Sequence, residues 1–323
     1  MSSRALFASL MREESPKGTE PASFSASADG GEAVLSCAPV SVIIPVHNEE
    51  DGVARVVEQV RLALTTPARP ASRVEILVVD DGSTDASAER ARQAGARVIQ
   101  HPGNLGYGAA LKTGLRHASH EIIVITDGDG TYPAAQMDAL VRELERCDMA
   151  VGARIGSDVN IPWTRRPAKR LLTWLAVYLA QKPIPDLNSG LRAFRKSDAM
   201  RFFNLYPSGF SFTTTITLAY LSNDLLVHYL PIDYHPRIGR SKLRPVRDTK
   251  NLFLTVVRSI IFFNPMRVCI PLALAMLAVA LYVALFIRDS HGNILDGTIS
   301  ILSLGAIQII ILGFLADAIA RLR

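Results

Sequence analysis

The feature that most constrains the fold of this chain is an apolar run that leads directly into two carboxylates. Residues 122–133 are Ile-Ile-Val-Ile-Thr-Asp-Gly-Asp-Gly-Thr-Tyr-Pro, and the β-branched run predicts a buried strand with Asp127 and Asp129 at its carboxyl end. Ligands bind at that edge of open α/β sheets. Two carboxylates one residue apart can share Mg²⁺ or Mn²⁺, which commonly keeps positions open for substrate phosphates. The alternative is an ordinary Asp-Gly turn.

Two upstream segments repeat this plan. Residues 41–50 and 74–83 are short β-branched runs that end in polar turns, and helical patterns occupy residues 52–64, 86–94 and 109–117. Strands that alternate with helices predict an α/β domain with a parallel sheet. We therefore expect the three polar turns to converge on one side of the sheet and form a site.

Six motifs follow one another along the chain. They are Pro-Val-His-Asn-Glu at 45–49, Val-Asp-Asp-Gly-Ser at 79–83, Asn-Leu-Gly-Tyr-Gly-Ala-Ala-Leu-Lys at 104–112, Asp-Gly-Asp at 127–129, Asn-Ser-Gly-Leu-Arg-Ala-Phe-Arg at 188–195 and Arg-Ile-Gly-Arg-Ser-Lys at 237–242. Their order resembles that in glycosyltransferase family 2, specifically the dolichol-phosphate mannose synthase branch, which glycosylates polyprenyl phosphates. The resemblance implies a GT-A, Rossmann-like catalytic domain, which we expect over residues 39–248.

The resemblance also implies a catalytic metal site. Asp127 and Asp129 would hold Mg²⁺ or Mn²⁺ together with the diphosphate of a nucleotide sugar, so that positive charge lies where the departing diphosphate develops negative charge. The family often has Gln where Thr131 stands, which leaves a third metal ligand unassigned. A calcium loop is disfavoured, because Thr131 stands where such a loop would carry Asp or Asn.

Nucleotide binding is the second role that the resemblance implies. Pro45, His47 and Glu49 would frame the base and ribose of a UDP- or GDP-sugar, Asp81 would hydrogen-bond the base, and Asp127 would complete the nucleotide site. The family often has Tyr at the position of His47. The neighbouring Asp80 is interpreted instead as a structural cap.

A polyprenyl phosphate acceptor would need a cationic site rather than a strong base. Its second pKa, about 6 by analogy with phosphate monoesters, leaves it largely ionised at neutral pH. Arg154, Arg166 and Arg170 are suited to planar phosphate recognition, and we assign them with Ser189 to the acceptor phosphate. Asp186 either orients the acceptor or caps a turn.

The basic loop at residues 237–242 precedes the apolar third of the chain. By resemblance, Arg237 and Lys242 would close over the diphosphate and acceptor and act in catalysis, with Gly239 permitting the motion. The alternative is a membrane-surface charge patch.

Composition limits the remaining possibilities. The chain has 323 residues, a net charge of +5 and a pI near 9.2, which suits phosphates or an acidic membrane surface. No interleaving of aromatic and basic residues indicates a nucleic-acid partner. The three cysteines are scattered, which excludes a disulfide framework. Residues 1–38 lack periodicity and are expected to form a disordered tail.

The C-terminal third predicts two membrane spans, at about residues 268–287 and 297–316, within a segment at 266–323. Arg258, Arg267, Arg321 and Arg323 flank the outer ends. The positive-inside rule therefore predicts a multi-pass inner-membrane protein with a two-helix transmembrane hairpin and a cytoplasmic catalytic domain.

Two further features belong to this region. Residues 249–265 have the pattern of an amphipathic helix that lies in the membrane interface. Gln308, in the middle of the second span, is expected to pair across helices or in a homo-oligomer, although it could instead line a path for a sugar.

Together these features predict an inverting, metal-dependent enzyme. It would transfer one sugar from a UDP- or GDP-sugar to undecaprenyl or dolichyl phosphate at the cytoplasmic membrane face. One alternative is a processive polysaccharide synthase, against which the chain lacks a Gln-x-x-Arg-Trp motif and offers only two spans. Others are a non-catalytic lipid-linked-sugar scaffold and a nucleotidyltransferase, which would want a glycine-rich phosphate loop after the first strand.

Overall fold

The structure is a computed structural model of the chain. It describes residues 35–154, 177–178, 181–209, 211–235, 254, 258, 262, 264–287 and 296–321. Most of the predicted tail and nearly all of the predicted in-plane helix therefore lie outside the described residues.

A mixed sheet of seven strands forms the centre of the catalytic domain. The strands are β1 (Val40–Val46), β2 (Val74–Asp80), β3 (Arg97–Gln100), β4 (Ile122–Ile125), β5 (Met149–Ala153), β6 (Arg192–Arg195) and β7 (Val227–Pro231). Their order is β3-β2-β1-β4-β6-β5-β7. β1 pairs in parallel with β2 and β4, and β2 pairs in parallel with β3. β6 is antiparallel to both neighbours, whereas β5 and β7 are parallel.

Helices cover both faces of this sheet. They are α1 (Val53–Leu64), α2 (Ser87–Gln93), α3 (Tyr107–His117), α4 (Met137–Glu143), α5 (Lys196–Arg201) and α6 (Phe212–Ser222). Because side chains alternate across a strand, Val42 and Ile44 of β1 join the core under α1 and α4, while Ile43 joins the core under α3 and α6. All seven residues of β1 are buried, as expected for a strand inside a parallel sheet.

The predicted fold class is confirmed. Strands occur at the three predicted places, and helices lie close to each predicted helical range. The predicted start of the domain at residue 39 is too late, because Leu35 and Ala38 pack against the core. The fully buried Arg69 guanidinium donates to the carbonyl oxygens of both residues at 2.9 Å.

Two long apolar helices follow the catalytic domain, α7 (Met266–Phe286) and α8 (Asp296–Arg321). Both are long and apolar enough to cross a membrane. Small residues bring them together, since a Cβ on Gly313 would lie 2.7 Å from the Cβ of Cys269 and Ala273 is fully buried. Close approach at small residues is typical of paired membrane helices. Large apolar side chains on the outer faces are exposed, so the helices can form the predicted hairpin.

Candidate active site

The polar turns after β1, β2 and β4 lie side by side because these strands are neighbours and run in parallel. Side-chain bonds tie the first two turns together. The backbone N–H of Asn48 donates to Ser83 Oγ at 2.9 Å, and that of Glu49 donates to Ser87 Oγ at 2.8 Å. The residues predicted at 45–49 and 79–83 therefore form one edge, next to the turn that carries Asp127.

Asp127 is held between two other segments of the chain. The Tyr107 hydroxyl, at the start of α3, donates to Asp127 Oδ1 at 2.9 Å. On another side Gly190 approaches so closely that a Cβ there would lie 2.8 Å from Asp127 Oδ2. Desolvation and the charge of Asp127 raise the pKa of Tyr107 well above its usual value, so the phenol stays protonated and donates.

Asp129 is buried and supported by its own turn. The backbone N–H and the hydroxyl of Thr131 both donate to Asp129 Oδ1, at 3.1 and 2.7 Å. Thr131 is fully buried, so its hydroxyl orients the carboxylate.

The donor set of Asp127 and Asp129 fits a hard cation such as Mg²⁺ or Mn²⁺. The described residues hold no cluster of three His, Cys, Asp or Glu side chains that could bind a metal. Two carboxylates can nevertheless suffice, because Mg²⁺ is commonly held by one or two carboxylates together with substrate phosphates and water. A carboxylate offers about four acceptor positions, so the bonds from Tyr107 and Thr131 are compatible with a cation.

Asp81 organises the turn that leads into α3. Its two carboxylate oxygens accept the backbone N–H groups of Leu105 and Gly106 at 2.9 and 2.8 Å, and Oδ1 also lies 2.7 Å from His101 Nδ1. Its assignment to the base of the nucleotide stays a prediction. Asp80 accepts from the Ser83 N–H at 3.1 Å, so it stabilises a turn and does not cap a helix.

Arg154 forms a two-pronged ion pair with Asp186. The guanidinium donates through Nε at 2.6 Å and through Nη2 at 2.9 Å, and it stacks 5.2 Å from the ring centre of Tyr234. Burial alone would raise the pKa of Asp186, but the hydrogen bonds and charge of Arg154 outweigh it and hold that pKa below its usual value. Asp186 is therefore a structural partner of Arg154 and is not poised as a base.

Residues 186–190 connect this ion pair to Asp127. The Gly190 N–H donates to the Tyr132 hydroxyl at 2.7 Å. Arg192 is fully buried beneath the segment and donates to the carbonyl oxygens of Ser189 and Leu187 at 2.8 and 3.0 Å. We call residues 186–190 the bridge segment.

The geometry argues against the acceptor role predicted for Ser189. Its side chain is fully buried and its hydroxyl donates to the Gly152 carbonyl oxygen, so it fixes the bridge segment to β5. The sequence motif was correct about the segment but not about which of its residues faces the site.

Four of the predicted site residues, Arg166, Arg170, Arg237 and Lys242, lie outside the described residues. The described chain does reach the start of the basic loop. There the His235 N–H donates to the Thr131 carbonyl oxygen at 2.9 Å. The loop therefore begins beside the turn that carries Asp129.

Sequence reasoning missed the contacts that Tyr107, Tyr132, Gly190 and Arg192 make in the site. Tyr107 and Gly190 stand in two of the six motifs, which was a signal that they matter. Their contacts with Asp127 join positions far apart in sequence, and local patterns do not reveal such pairs.

An open α/β sheet with two carboxylates at the carboxyl edge of its central strands defines a protein of the GT-A glycosyltransferase type. The family model described as Glycosyl transferase family 2 matches residues 41–203, about half of the chain, and the chain belongs to that family. It is accordingly a glycosyltransferase.

Curated relatives agree with this assignment. The chain is 27% identical to glycosyltransferase AglJ of Haloferax volcanii, over 88% of this chain and 94% of that protein. It is 34% identical to the undecaprenyl-phosphate 4-deoxy-4-formamido-L-arabinose transferase of Edwardsiella ictaluri, over 49% of each. The match to the hexosyltransferase Agl6 of Haloferax volcanii covers 68% of this chain and 54% of that protein, at 31% identity. The chain thus spans about half the length of the last two.

Solved structures support the fold. The glucosyl-3-phosphoglycerate synthase of Mycobacterium tuberculosis, crystallised with Mn²⁺, UDP-glucose and phosphoglyceric acid, has a TM-score of 0.55 over 71% of this chain and 82% of that chain. The two are 21% identical, so the likeness concerns the fold alone.

Proposed function

We propose that this glycosyltransferase transfers a single sugar from a UDP- or GDP-sugar to a polyprenyl phosphate, with Mg²⁺ or Mn²⁺, at the cytoplasmic face of the inner membrane. The donor half of the proposal rests on Asp127 and Asp129. The acceptor half rests on the position of the Arg154–Asp186 pair relative to α7.

The observation that carries the acceptor assignment is where the bridge segment packs. Ile184 and Leu187, on either side of Asp186, belong to an apolar cluster that Val268 of α7 joins. Arg267 and Tyr178 exchange hydrogen bonds of 3.3 Å at the same level. The Arg154 guanidinium is therefore held by a segment that contacts the first turn of an apolar helix. A phosphate on a membrane lipid would be available at that level, whereas a soluble acceptor would need no such arrangement.

The proposed metal would supply positive charge to the departing diphosphate when bound. Asp127 and Asp129 would hold it, and Pro45, His47, Glu49 and Asp81 would bind the nucleoside. Two relatives support the choice of substrates: the Edwardsiella protein is named for an undecaprenyl-phosphate acceptor, and the mycobacterial synthase was crystallised with Mn²⁺ and UDP-glucose.

The proposed reaction is a direct displacement. An oxygen of the lipid phosphate attacks the anomeric carbon from the face opposite the nucleotide, while the bond from that carbon to the diphosphate oxygen breaks. The nucleophile is already ionised, so no side chain has to remove a proton. Arg154 would orient the acceptor phosphate and offset the repulsion between the two anionic substrates, with Arg166, Arg170, Arg237 and Lys242 as further proposed cations. The sugar is inverted.

The decisive experiment uses the full chain purified in detergent. It is incubated with undecaprenyl phosphate, Mn²⁺ or Mg²⁺ and each of a set of radiolabelled nucleotide sugars, and the lipid phase is then extracted. We expect one labelled sugar per lipid, released by mild acid, with its anomeric configuration inverted. EDTA should abolish transfer, and Asp129→Asn should reduce it by at least ~100-fold, as for loss of one electrostatic group that acts in the transition state.

Other outcomes would contradict specific parts of the proposal. A water-soluble polymer would identify a processive synthase. Transfer only to water-soluble acceptors would overturn the lipid phosphate. Undiminished transfer in EDTA by Asp129→Asn would overturn the metal site.

A further inference from the structure

Two carboxylates of the proposed nucleotide site are joined by a single turn of the chain. Asp81 accepts the N–H groups of Leu105 and Gly106 at 2.9 and 2.8 Å. The next residue, Tyr107, begins α3 and donates its hydroxyl to Asp127 Oδ1 at 2.9 Å. A continuous path of hydrogen bonds and backbone therefore runs from Asp81 to Asp127.

The turn is held from its other side as well, which makes the path stiff. Gly106 has a φ of +107°, and a Cβ there would lie 2.4 Å from the Ser208 carbonyl oxygen. The same oxygen accepts the Ala109 N–H at 3.0 Å. Because the backbone on both sides of Tyr107 is fixed, its ring has little freedom to leave Asp127.

Asp127 needs such a partner. The terminal torsion of an aspartate is broad and carries no strong preference of its own, so a carboxylate that must present one oxygen to a ligand has to be oriented by its neighbours. The phenolic hydroxyl of Tyr107 does this from one side, and Gly190 closes off the side of Oδ2.

We propose that Tyr107 is a positioning residue that fixes the orientation of the Asp127 carboxylate and couples it to Asp81. Contact of a nucleoside with Asp81 would then stabilise the turn that holds Asp127 ready for the metal and the nucleotide. This inference rests on the proposed function only in taking Asp81 and Asp127 as parts of one nucleotide site. It makes no use of the acceptor.

The test variant is Tyr107→Phe, which removes the hydroxyl and keeps the ring. Binding of Mn²⁺ with UDP or GDP, whichever the unaltered chain binds, is measured by calorimetry and by the electron paramagnetic resonance signal of free Mn²⁺. We expect the affinity for the Mn²⁺–nucleotide pair to fall about tenfold, the order of one hydrogen bond to a charged group. The melting temperature should change little.

Tyr206→Phe is the matched control. Its hydroxyl is also buried but donates to the Ala199 carbonyl oxygen at 2.8 Å. That variant should bind Mn²⁺ and nucleotide as the unaltered chain does. If Tyr107→Phe also binds them normally, or if both variants lose affinity equally, the positioning role is wrong.

The coupling has its own test in a double-mutant cycle. Asp81→Asn weakens the acceptor of the Leu105 and Gly106 N–H groups, so the further loss caused by Tyr107→Phe should be smaller in that background. Independent effects on affinity would overturn the coupling. Since binding needs no lipid, a failure to glycosylate polyprenyl phosphate would refute the proposed acceptor without touching this result.

Discussion

At the scale of single residues, the Arg154–Asp186 pair decides how the acceptor side of the site works. The guanidinium is committed through two of its nitrogens, so its position depends on Asp186. The basic character that the sequence predicts at Arg154 is real, but its direction comes from a carboxylate more than thirty positions later in the chain.

Asp186→Asn should retain transfer and raise the Michaelis constant for polyprenyl phosphate by ~10-fold, because one oriented, charged hydrogen-bond acceptor is lost. Binding of Mn²⁺ and nucleotide should not change. Steady-state kinetics at varied lipid concentration checks this, with the exposed pair partner Asp198→Asn as control. An abolished reaction at saturating lipid would instead make Asp186 essential to the chemistry.

The same pair has a predicted pH dependence. The pKa of Asp186 in the folded chain lies below its usual value, so the stabilisation it provides is fully present above the unfolded value of about 3.9 and is lost only as pH falls through the folded value. The difference in melting temperature between the unaltered chain and Asp186→Asn should therefore stay constant from about pH 8 to pH 5. A difference that disappears by pH 5 would contradict it.

At the scale of elements, the sequence predicts most of what depends on local pattern. The runs around β1, β2 and β4 are apolar and β-branched, and each ends at a turn residue, so their type and position follow directly. The antiparallel insertion of β6 between β4 and β5 does not follow, because strand order is set by long-range pairing. The same reason hides the contact between Gly190 and Asp127, which requires the bridge segment to reach the β4 turn.

The two apolar helices allow a sharp test of hairpin packing. A Cβ on Gly313 would lie 2.7 Å from Cys269 Cβ and 3.0 Å from Met266 Sδ, whereas one on Gly297 would meet nothing within 4 Å. Gly313→Ala should therefore lower the melting temperature in detergent. Gly297→Ala should be neutral or slightly stabilising, because alanine is favoured over glycine in helices by ~1 kcal/mol. Equal effects of the two variants would mean that α7 and α8 do not pack as described.

At the scale of the whole molecule, the catalytic domain and the membrane anchor meet at the acceptor side of the site. Val268, near the start of α7, packs with the residues that flank Asp186. The proposed donor residues lie instead at the carboxyl edge of β1, β2 and β4. The arrangement would let a soluble nucleotide sugar enter from the cytoplasm while a lipid phosphate arrives along the membrane surface.

That arrangement requires a particular topology, in which both ends of the helical pair face the cytoplasm. Arginines lie at the outer ends of the pair, including Arg267, Arg321 and Arg323, whereas the connector at residues 288–296 carries one Arg and two Asp. Positive charge is retained on the cytoplasmic side, so the connector should face outward. A single cysteine introduced at Asn293 should react with an impermeant maleimide added to intact cells, and one at Arg323 should react only after the cells are opened, in chains whose native cysteines have been replaced. Labelling of both from outside, or of Arg323→Cys alone, would contradict the hairpin and remove the physical basis for a lipid acceptor on the cytoplasmic face.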